Sequence, residues 1–251
     1  MAELTDAQLD RYARHIVLRE LGGGGQARLL AARVVIIGAG GIGSPAIQYL
    51  AAAGVGHLTI IDDDRVDRSN LQRQTLFSDA DLGVEKASRA ADAAMRLNAD
   101  VAARGVVARI DGGNAATLLA GADVVLDGCD NFTTRLAVAD AALAARIPLV
   151  SAAVTQFEGQ LATYRGWEPA LPCYRCVVGA DPDRPGTSCS EVGVLGAMAG
   201  VIGSMAALEV IRSIAPFGDD LAGRLVIADA LAMRFRTLTV RKDPGCPACG
   251  R

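Results

Sequence analysis

Residues 34–43 read Val-Val-Ile-Ile-Gly-Ala-Gly-Gly-Ile-Gly, so an apolar run leads directly into a segment rich in glycine. A continuous run of β-branched residues is typical of a strand that is buried on both faces of a parallel sheet. The segment that follows fits the pattern G-x-G-x-x-G through Gly38, Gly40 and Gly43, with Gly41 as a fourth glycine. Such a turn brings backbone N–H groups and a helix N-terminus close to a phosphate. These residues predict a Rossmann-like α/β fold with a nucleotide site where the strand ends.

The alternation of strand and helix continues on both sides of this segment. Strands are predicted at 34–37, 58–61, 101–107, 124–126 and 148–152, and helices at 41–53, 85–97 and 131–145. Beyond residue 160 the pattern changes to three more strand-like segments, at 161–164, 224–228 and 235–240. We expect a largely parallel sheet with helices on both faces and antiparallel strands added on one side.

No segment of the chain is long enough to act as a linker, so a single domain over residues 1–251 is expected. Its parts are an N-terminal helix at 3–20, a nucleotide-binding core at 30–155 and a C-terminal region at 156–251. Gly22–Gly25 are expected to break the N-terminal helix.

Two segments of the C-terminal region bear on its organisation. Residues 179–190 contain Pro182, Pro185 and Gly186 and predict a mobile loop. The uncharged stretch 192–208 is somewhat short for a membrane span and is cut by four glycines, which favours a buried helix over membrane insertion.

The charge balance indicates which class of binding partner to expect, and the N-terminus indicates the cellular compartment. Lys plus Arg number 25 and Asp plus Glu 28, a formal net charge of -3, which argues against a general nucleic-acid binder. The first ten residues lack the pattern of a signal peptide, so we expect a cytoplasmic protein with reduced thiols.

Asp62 ends the second predicted strand, about twenty residues after the glycine turn, where a carboxylate can accept hydrogen bonds from ribose hydroxyls. Taken alone, this pair of features favours NAD or FAD. The run Ser69-Asn70-Leu71-Gln72-Arg73-Gln74 and then Lys86 follow, and this is not typical of a dehydrogenase. An arginine, a lysine and a phosphate-binding turn in one crevice suit a triphosphate.

Asp130 and Asn131 follow the strand at 124–126, at a carboxyl end where ligands of such sheets bind. A carboxylate opposite the cations suits Mg²⁺, which prefers oxygen ligands. The two residues also make a good N-cap pair for the next helix, and that alternative stays open.

Two Cys-x-x-Cys pairs supply a second candidate site, formed by Cys173, Cys176, Cys246 and Cys249. Each pair can hold one side of an ion, and four thiolates close the tetrahedral coordination of zinc. The gap of roughly seventy residues between the pairs is longer than in a compact zinc ribbon. A redox dithiol is therefore the alternative.

The order of these motifs resembles that of the MoeB/ThiF/HesA family of adenylyltransferases, which are relatives of the ubiquitin-activating enzymes. The resemblance rests on Arg11-Tyr12-Ala13-Arg14-His15, the glycine turn, residues 69–74, Lys86, residues 127–131 and both cysteine pairs. It runs almost from end to end, and the opening residues and residues 77–81 are more similar to the MoeB branch than to the ThiF branch.

The resemblance implies the site residues and the cofactors. ATP is expected to bind Gly41, Asp62, Ser69, Asn70, Leu71, Gln72, Arg73, Lys86, Asp130 and Asn131. Asp130 is expected to hold Mg²⁺, and the four cysteines a structural Zn²⁺. Arg14 is expected to reach the ATP of a second protomer, which implies a homodimer.

The implied activity is adenylation of the C-terminal glycine carboxylate of a ubiquitin-like sulfur-carrier protein, with release of pyrophosphate. A MoaD-like carrier of molybdenum-cofactor biosynthesis is the leading expectation. ThiS of thiamine biosynthesis and a tRNA-thiolation carrier are the close alternatives, and a separate sulfurtransferase is expected to supply the sulfur. An NAD(P)-dependent oxidoreductase and a non-catalytic nucleotide-binding module are the more remote ones.

Three residues stand apart from these assignments. Cys189 follows the predicted loop and precedes a helix whose N-terminus can favour a reactive thiolate. It resembles the family cysteine that takes part in sulfur or acyl transfer in some members and is dispensable for adenylation in others. Cys129 is expected to be a small buried apolar residue. His15, where many relatives carry glutamine, is given no role. The family often has Asp-Cys-Thr-Asp-Asn where this chain has Asp-Gly-Cys-Asp-Asn at 127–131, and only a local backbone change is expected.

Overall fold

The computed structural model describes residues 4–179 and 193–250, and their strands form one eight-stranded sheet. The strands are β1 (Arg33–Ile37), β2 (His57–Ile61), β3 (Ala102–Val106), β4 (Val124–Asp127), β5 (Leu149–Thr155), β6 (Glu158–Tyr164), β7 (Arg224–Asp229) and β8 (Arg234–Thr239). Their order in the sheet is β3-β2-β1-β4-β5-β6-β7-β8. The first five strands are parallel, and β6, β7 and β8 are each antiparallel to their neighbours. The predicted fold class is therefore confirmed.

Helices cover both faces of this sheet. Within the described ranges they are α1 (Asp6–Arg11), α2 (Ala13–Ile16), α3 (Gly22–Ala31), α4 (Gly43–Ala52), α5 (Lys86–Leu97), α6 (Ala115–Leu119), α7 (Phe132–Ala145), α8 (Arg175–Val178) and α9 (Gly196–Ile214). The short helices α6 and α8 were not predicted from the sequence. The predicted mobile loop, apart from its first residue, and Cys189 lie outside the described residues.

Successive side chains of β1 point into two different layers of helices. Val34 and Ile36 belong to a core cluster with α3, α4, α5 and α9. Val35 and Ile37 pack with α6 and α7 on the opposite face. Because strand side chains alternate between the two faces of a sheet, a strand covered on both sides requires an apolar residue at every position. The uninterrupted run at 34–37 meets that requirement.

The carboxyl ends of β1 and β4 mark the point where the chain changes direction across the sheet. From β1 the chain adds β2 and β3 on one side, and it then returns to add β4 and β5 on the other. The loops that leave β1 and β4 therefore diverge and open a crevice, which is where ligands of open α/β sheets bind.

The apolar helix α9 meets the length and composition criteria of a membrane span. In the structure it packs against α4, β5 and β6. Its buried residues include Met198, Ile202, Ala206 and Val210, which recur at helical spacing and face the core. The packing matches the buried helix that was predicted for 192–208, with the helix beginning and ending a few residues later.

The N-terminal region differs from its prediction. The helix expected at 3–20 is divided into α1 and α2 at Tyr12, whose buried hydroxyl accepts a hydrogen bond from Asn98 Nδ2 (2.8 Å) and donates one to Asp100 Oδ2 (3.0 Å). These tertiary contacts fix Tyr12 in a conformation that is not helical. The prediction that Gly22–Gly25 break the helix was also wrong in part, because the chain turns at Gly22 (φ +60°) but the glycines begin α3.

Candidate active site

A cleft of about 510 Å³ lies at the carboxyl ends of β1, β2, β4 and β5. Many of the predicted nucleotide-binding residues line it: Gly38, Gly40, Gly41, Asp62, Asn70, Arg73, Lys86, Asp130 and Asn131. The crevice that the strand order opens is thus also where the polar motifs of the sequence converge.

The glycine turn forms the floor of the cleft. Gly38 adopts φ +87°, a left-handed conformation that side chains with a Cβ atom rarely take. Gly43 lies behind the turn, and a Cβ atom there would lie 1.9 Å from the carbonyl oxygen of Gly38. Gly43 therefore permits the close packing that shapes the turn, whereas Gly40 and Gly41 line the cleft.

Asp62 holds the turn in place from the end of β2. Its Oδ2 atom accepts a hydrogen bond from the backbone N–H of Ala39 at 2.8 Å, and Oδ1 accepts one from the N–H of Asp64 at 2.8 Å. Burial raises the pKa of Asp62, although these two hydrogen bonds lower it. Each carboxylate oxygen can accept a further hydrogen bond, so the side chain can support the turn and still meet a ligand hydroxyl.

The polar run at 69–74 is divided between the cleft and its supporting structure. Asn70 and Arg73 line the cleft, and the guanidinium group of Arg73 donates to the carbonyl oxygen of Ser69 at 3.1 Å. Ser69, by contrast, donates its hydroxyl hydrogen to Asp67 Oδ1 at 2.6 Å. Ser69, Leu71 and Gln72 are not among the residues that line the cleft. Leu71 packs on the core, and the carbonyl of Gln72 lies against Gly196 at the start of α9.

Gln74 is a cleft residue that was not assigned from the sequence. Its side chain is buried, and within the described ranges its Oε1 atom has no hydrogen-bond partner. A buried amide oxygen without a partner is costly unless a ligand or water meets it. The polar position at the end of a cationic run was the available signal.

Asp130 and Asn131 have different surroundings at the mouth of the cleft. Asn131 is the N-cap of α7, and its side-chain oxygen accepts a hydrogen bond from the N–H of Thr134 at 2.9 Å. Asp130 is exposed and faces the cleft. The capping alternative thus applies to Asn131, while Asp130 is free to meet a cation.

An ion pair between Asp127 and Arg135 lies beneath this loop and was missed from the sequence. The two side chains are almost fully buried, with Arg135 Nη1 3.3 Å from Asp127 Oδ2. Burial is the largest single effect and lowers the pKa of Arg135, but the Asp127 carboxylate together with Cys129 and Tyr174 outweighs it, so the net pKa is raised. Arg135 shares a helix face with Val138, Ala139 and Ala142, and a charged residue on an apolar face was the signal.

Cys129 lies beside this ion pair and keeps its thiol protonated. Burial raises the pKa of the Cys129 thiol well above its ordinary value, and the neighbouring Asp127 carboxylate raises it further. A thiol needs its thiolate form to act as a nucleophile. Cys129 is half-buried and lines the cleft, so the expected full burial is not met, although its raised pKa argues against a nucleophilic role.

The four cysteines of the two Cys-x-x-Cys pairs meet in one cluster behind α7. Their sulfur atoms all lie within 4.8 Å of one another, with Cys173–Cys246 at 3.6 Å, Cys176–Cys249 at 3.4 Å and Cys173–Cys176 at 3.9 Å. Tetrahedral zinc with Zn–S bonds of about 2.3 Å requires S···S separations of about 3.8 Å. The cluster is compatible with zinc, and the backbone N–H of Asp243 donates to Cys176 Sγ at 3.5 Å.

Arg14 is not brought to the cleft of its own chain. It is exposed on α2 and does not line the cleft. The residues around it are anchored: Tyr12 by the contacts described above, and His15 through Nδ1, which lies 3.0 Å from Gln26 Oε1. Gln26 is itself buried and donates to the carbonyl oxygen of Ala53 at 2.9 Å. His15 therefore has a structural role, which the sequence did not reveal.

Comparisons with known proteins identify the family of the chain. The model of the ThiF family matches residues 12–248. The chain is 48% identical over 249 residues to the SAMP-activating enzyme E1 of Haloferax volcanii, covering 98% of this chain and 91% of that protein. It is 43% identical over 251 residues to the molybdopterin-synthase adenylyltransferase of Escherichia coli K12, covering 100% of both.

The fold is also shared with a solved structure. E. coli MccB, crystallised with MccA-N7isoASN, superposes with a TM-score of 0.85 at 23% identity, covering 96% of this chain and 75% of that one. At this identity the likeness shows the fold alone. The family model and the two relatives together confirm the resemblance read from the motifs, and the chain belongs to the ThiF family.

Proposed function

We propose that this protein is an adenylyltransferase that activates the C-terminal glycine carboxylate of a ubiquitin-like sulfur-carrier protein with ATP. The observation that carries the proposal is the cleft, which combines a phosphate-binding glycine turn with Arg73 and Lys86, and with the exposed carboxylate of Asp130. Both relatives described above are named as activating or adenylylating enzymes, which supports the same reaction.

In the proposed reaction a carboxylate oxygen of the carrier attacks the α-phosphorus of ATP. The new O–P bond gives an acyl-adenylate, the bond from the α-phosphorus to the bridging oxygen breaks, and pyrophosphate leaves with the electron pair. The enzyme needs no nucleophile of its own, so holding two anions together is its main task. Arg73 and Lys86 would neutralise the triphosphate, and Asp62 would accept a hydrogen bond from the ribose.

The donor set at the mouth of the cleft fits Mg²⁺. Asp130 offers an exposed carboxylate there, and carboxylate oxygens are the ligands that Mg²⁺ prefers. Asp130 would hold the ion, and the bound ion would supply positive charge to the phosphate oxygens. Asn131 is proposed to complete the nucleotide site from its N-cap position.

Arg14 is proposed to act on the cleft of a second copy in a homodimer. The contacts of Tyr12 and His15 fix its backbone, but its side chain does not line the cleft of its own chain. The neighbouring apolar side chains of Val17 and Leu18 are 74% and 51% exposed, as expected of a surface that a partner covers.

The cysteine cluster is proposed to hold a structural zinc ion, since four thiolates leave no open coordination position. Sulfur is proposed to come from a separate sulfurtransferase. A transfer role for Cys189 and a cytoplasmic location stay predictions.

ATP–pyrophosphate exchange with purified carriers tests the proposal. A MoaD-like carrier is expected to stimulate exchange most, with a ThiS-like carrier and a tRNA-thiolation carrier as the alternatives. Each carrier should be compared with a variant that lacks its terminal glycine, which is expected to give no exchange. Binding of NAD(P) with hydride transfer, or the absence of exchange with all three carriers, would contradict the proposed activity.

A further inference from the structure

Gln26 and Gln74 are both buried, but the surroundings of their side-chain amides differ. The amide of Gln26 is bonded at both ends: its Oε1 atom lies 3.0 Å from Nδ1 of His15, and its Nε2 atom donates to the carbonyl oxygen of Ala53 at 2.9 Å. Gln74 is 4% exposed, yet within the described ranges its Oε1 atom has no hydrogen-bond partner. Because burying an unpaired amide is unfavourable, the difference points to a group that meets Gln74 from outside the chain.

The backbone around Gln74 fixes the place of its amide. The N–H of Gln74 donates to the carbonyl oxygen of Asn70 at 3.0 Å, and the N–H of Phe77 donates to the carbonyl oxygen of Gln74 at 3.1 Å. Phe77 is itself buried in the core cluster with α4 and α5. Gln74 lines the cleft, and its Nε2 atom lies 3.7 Å from the position that a Cβ atom of Gly40 would occupy. The amide is therefore held beside the glycine turn.

Most other polar side chains of the cleft are poor partners for the carboxylate of an incoming carrier. Four of them are themselves carboxylates, which repel a second one: Asp62, Asp63, Asp64 and Asp130. Two neutral side chains have partners already, because the Thr134 hydroxyl donates to the carbonyl oxygen of Ile110 at 3.1 Å and Asn131 caps α7. Gln74 is neutral and buried, so it can meet an anionic group without adding negative charge.

The terminal residue of a peptide offers the two groups that a glutamine amide can bind. It carries one backbone N–H, which is a donor, and a carboxylate, which accepts hydrogen bonds. A glutamine amide has an acceptor oxygen and an NH₂ group with two donors, so it can serve both groups of one residue at the same time. The phosphate groups of ATP, by contrast, offer no donor to an amide oxygen.

We propose that Gln74 is a substrate-binding residue for the terminal residue of the carrier. Its Oε1 atom accepts the N–H of that residue, and its Nε2 atom donates to the carboxylate that attacks ATP. The inference rests on the proposed function and names the residue that orients the second substrate of the same site. Because Gln74 stands beside the glycine turn, it places the carboxylate next to the phosphates, where the new O–P bond forms.

Thermal unfolding of the free protein is the first readout. Gln74→Met removes the amide and keeps a similar volume. It is expected to raise the thermal midpoint by about 3 °C, because an unpaired polar group no longer has to be buried. Gln26→Met is the matched control, since it removes a buried amide that is bonded at both ends, and it is expected to lower the midpoint. A midpoint that falls in Gln74→Met as it does in Gln26→Met would show that the Gln74 amide has a partner within the protein, and it would overturn the proposal.

The dependence of ATP–pyrophosphate exchange on the carrier is the second readout. In Gln74→Met, kcat/KM for the MoaD-like carrier is expected to fall about tenfold, while the dissociation constant of Mg·ATP stays near the wild-type value. The comparison is repeated with a semisynthetic carrier in which an ester oxygen replaces the last backbone N–H. With that carrier the loss is expected to shrink to about threefold, because Oε1 then has no N–H to meet. Gln74→Leu, which also lacks the amide, gives the same test by a second route.

The results separate this inference from the proposed function. If wild type catalyses exchange but Gln74→Met loses the same factor with both forms of the carrier, Gln74 does not bind the terminal N–H. If Gln74→Met instead weakens Mg·ATP and leaves kcat/KM for the carrier unchanged, Gln74 belongs to the nucleotide. In both cases the inference fails and the proposed function stands. If wild type shows no exchange with any of the carriers, the proposed function fails and the inference fails with it.

Discussion

The Nζ atom of Lys86 lies 2.8 Å from Oδ2 of Asp64, and the pair lies inside the cleft. The lysine side chain is 5% exposed and the aspartate side chain 68% exposed. The buried ammonium group is thus held by a carboxylate that itself faces solvent. An incoming phosphate can compete for the ammonium group without having to remove a buried carboxylate.

Replacing Lys86 by methionine is expected to reduce ATP–pyrophosphate exchange at least about 100-fold, because a fixed charge near the phosphates is lost. The fold is expected to persist, since methionine fills a similar volume. Lys242→Met is the matched control, because Lys242 Nζ contacts the carbonyl oxygens of Gly166 and Glu168 away from the cleft. Exchange that survives in Lys86→Met would remove Lys86 from the proposed mechanism.

Asp130→Ala is expected to impair activity, whereas Asn131→Ala is expected to impair stability. Asp130→Ala should abolish exchange while leaving thermal stability unchanged, because its side chain is exposed in the cleft. Asn131→Ala should lower the free energy of unfolding by about 1 kcal/mol through loss of the α7 N-cap. Exchange assays and denaturant unfolding of both variants measure the difference. Near-normal exchange in Asp130→Ala contradicts the magnesium assignment.

Mixing two inactive variants tests whether Arg14 acts across a dimer. Arg14→Ala and Asp130→Ala are each expected to be inactive alone. If subunits of the two variants redistribute freely between dimers, half of the dimers are mixed. Each mixed dimer contains one intact site out of two, so about a quarter of the wild-type ATP–pyrophosphate exchange activity should return. If Arg14 served its own chain, no mixed dimer would contain an intact site. Absence of recovery in mixtures that are shown to form mixed dimers argues against action in trans.

One zinc ion per chain is expected from elemental analysis. Cys249→Ser should lose that ion and lower the thermal midpoint by more than about 5 °C, because a structural ion contributes directly to folding. Cys129→Ser, a serine substitution outside the cluster, should retain the ion. Zinc retained at full occupancy in Cys249→Ser would contradict the assignment of the ligands. Protein that contains no zinc and forms a disulfide within a Cys-x-x-Cys pair on mild oxidation would favour the redox dithiol.

Cys129 is expected to resist alkylation in the native protein. Its pKa is raised by burial and by the Asp127 carboxylate, so at pH 8 almost no thiolate is present. Mass spectrometry after iodoacetamide treatment should find Cys129 unmodified in native protein and modified after denaturation. Rapid native modification at pH 8 would show that the thiol is accessible and ionised.

The central part of the fold could be predicted because short, continuous stretches of sequence specify its strand and turn. The apolar run at 34–37 and the glycine pattern that follows specify a doubly covered strand and a tight turn without reference to the rest of the chain. Asp62 and Asp130 could be placed together because carboxyl ends of parallel strands share one edge of the sheet.

The missed features depend on contacts between distant residues. The break at Tyr12 results from hydrogen bonds to Asn98 and Asp100, more than eighty positions away, and helix propensity cannot reveal it. The division of residues 69–74 into cleft-lining and supporting residues depends on α9 packing behind Gln72. Arg135 did have an available signal, a cation on an otherwise apolar helix face.

The distance in sequence between the two cysteine pairs also constrains the order of events during synthesis. Cys249 follows Cys176 by 73 positions, and α9, β7 and β8 lie between them. While the chain is still bound to the ribosome and only its first cysteine pair has emerged, it offers two thiolates. Two thiolates cannot complete the coordination sphere of a zinc ion with four cysteine ligands. Under the proposed zinc assignment, metal capture has to follow translation of the last two strands, and a zinc-loaded chain would already contain both of them.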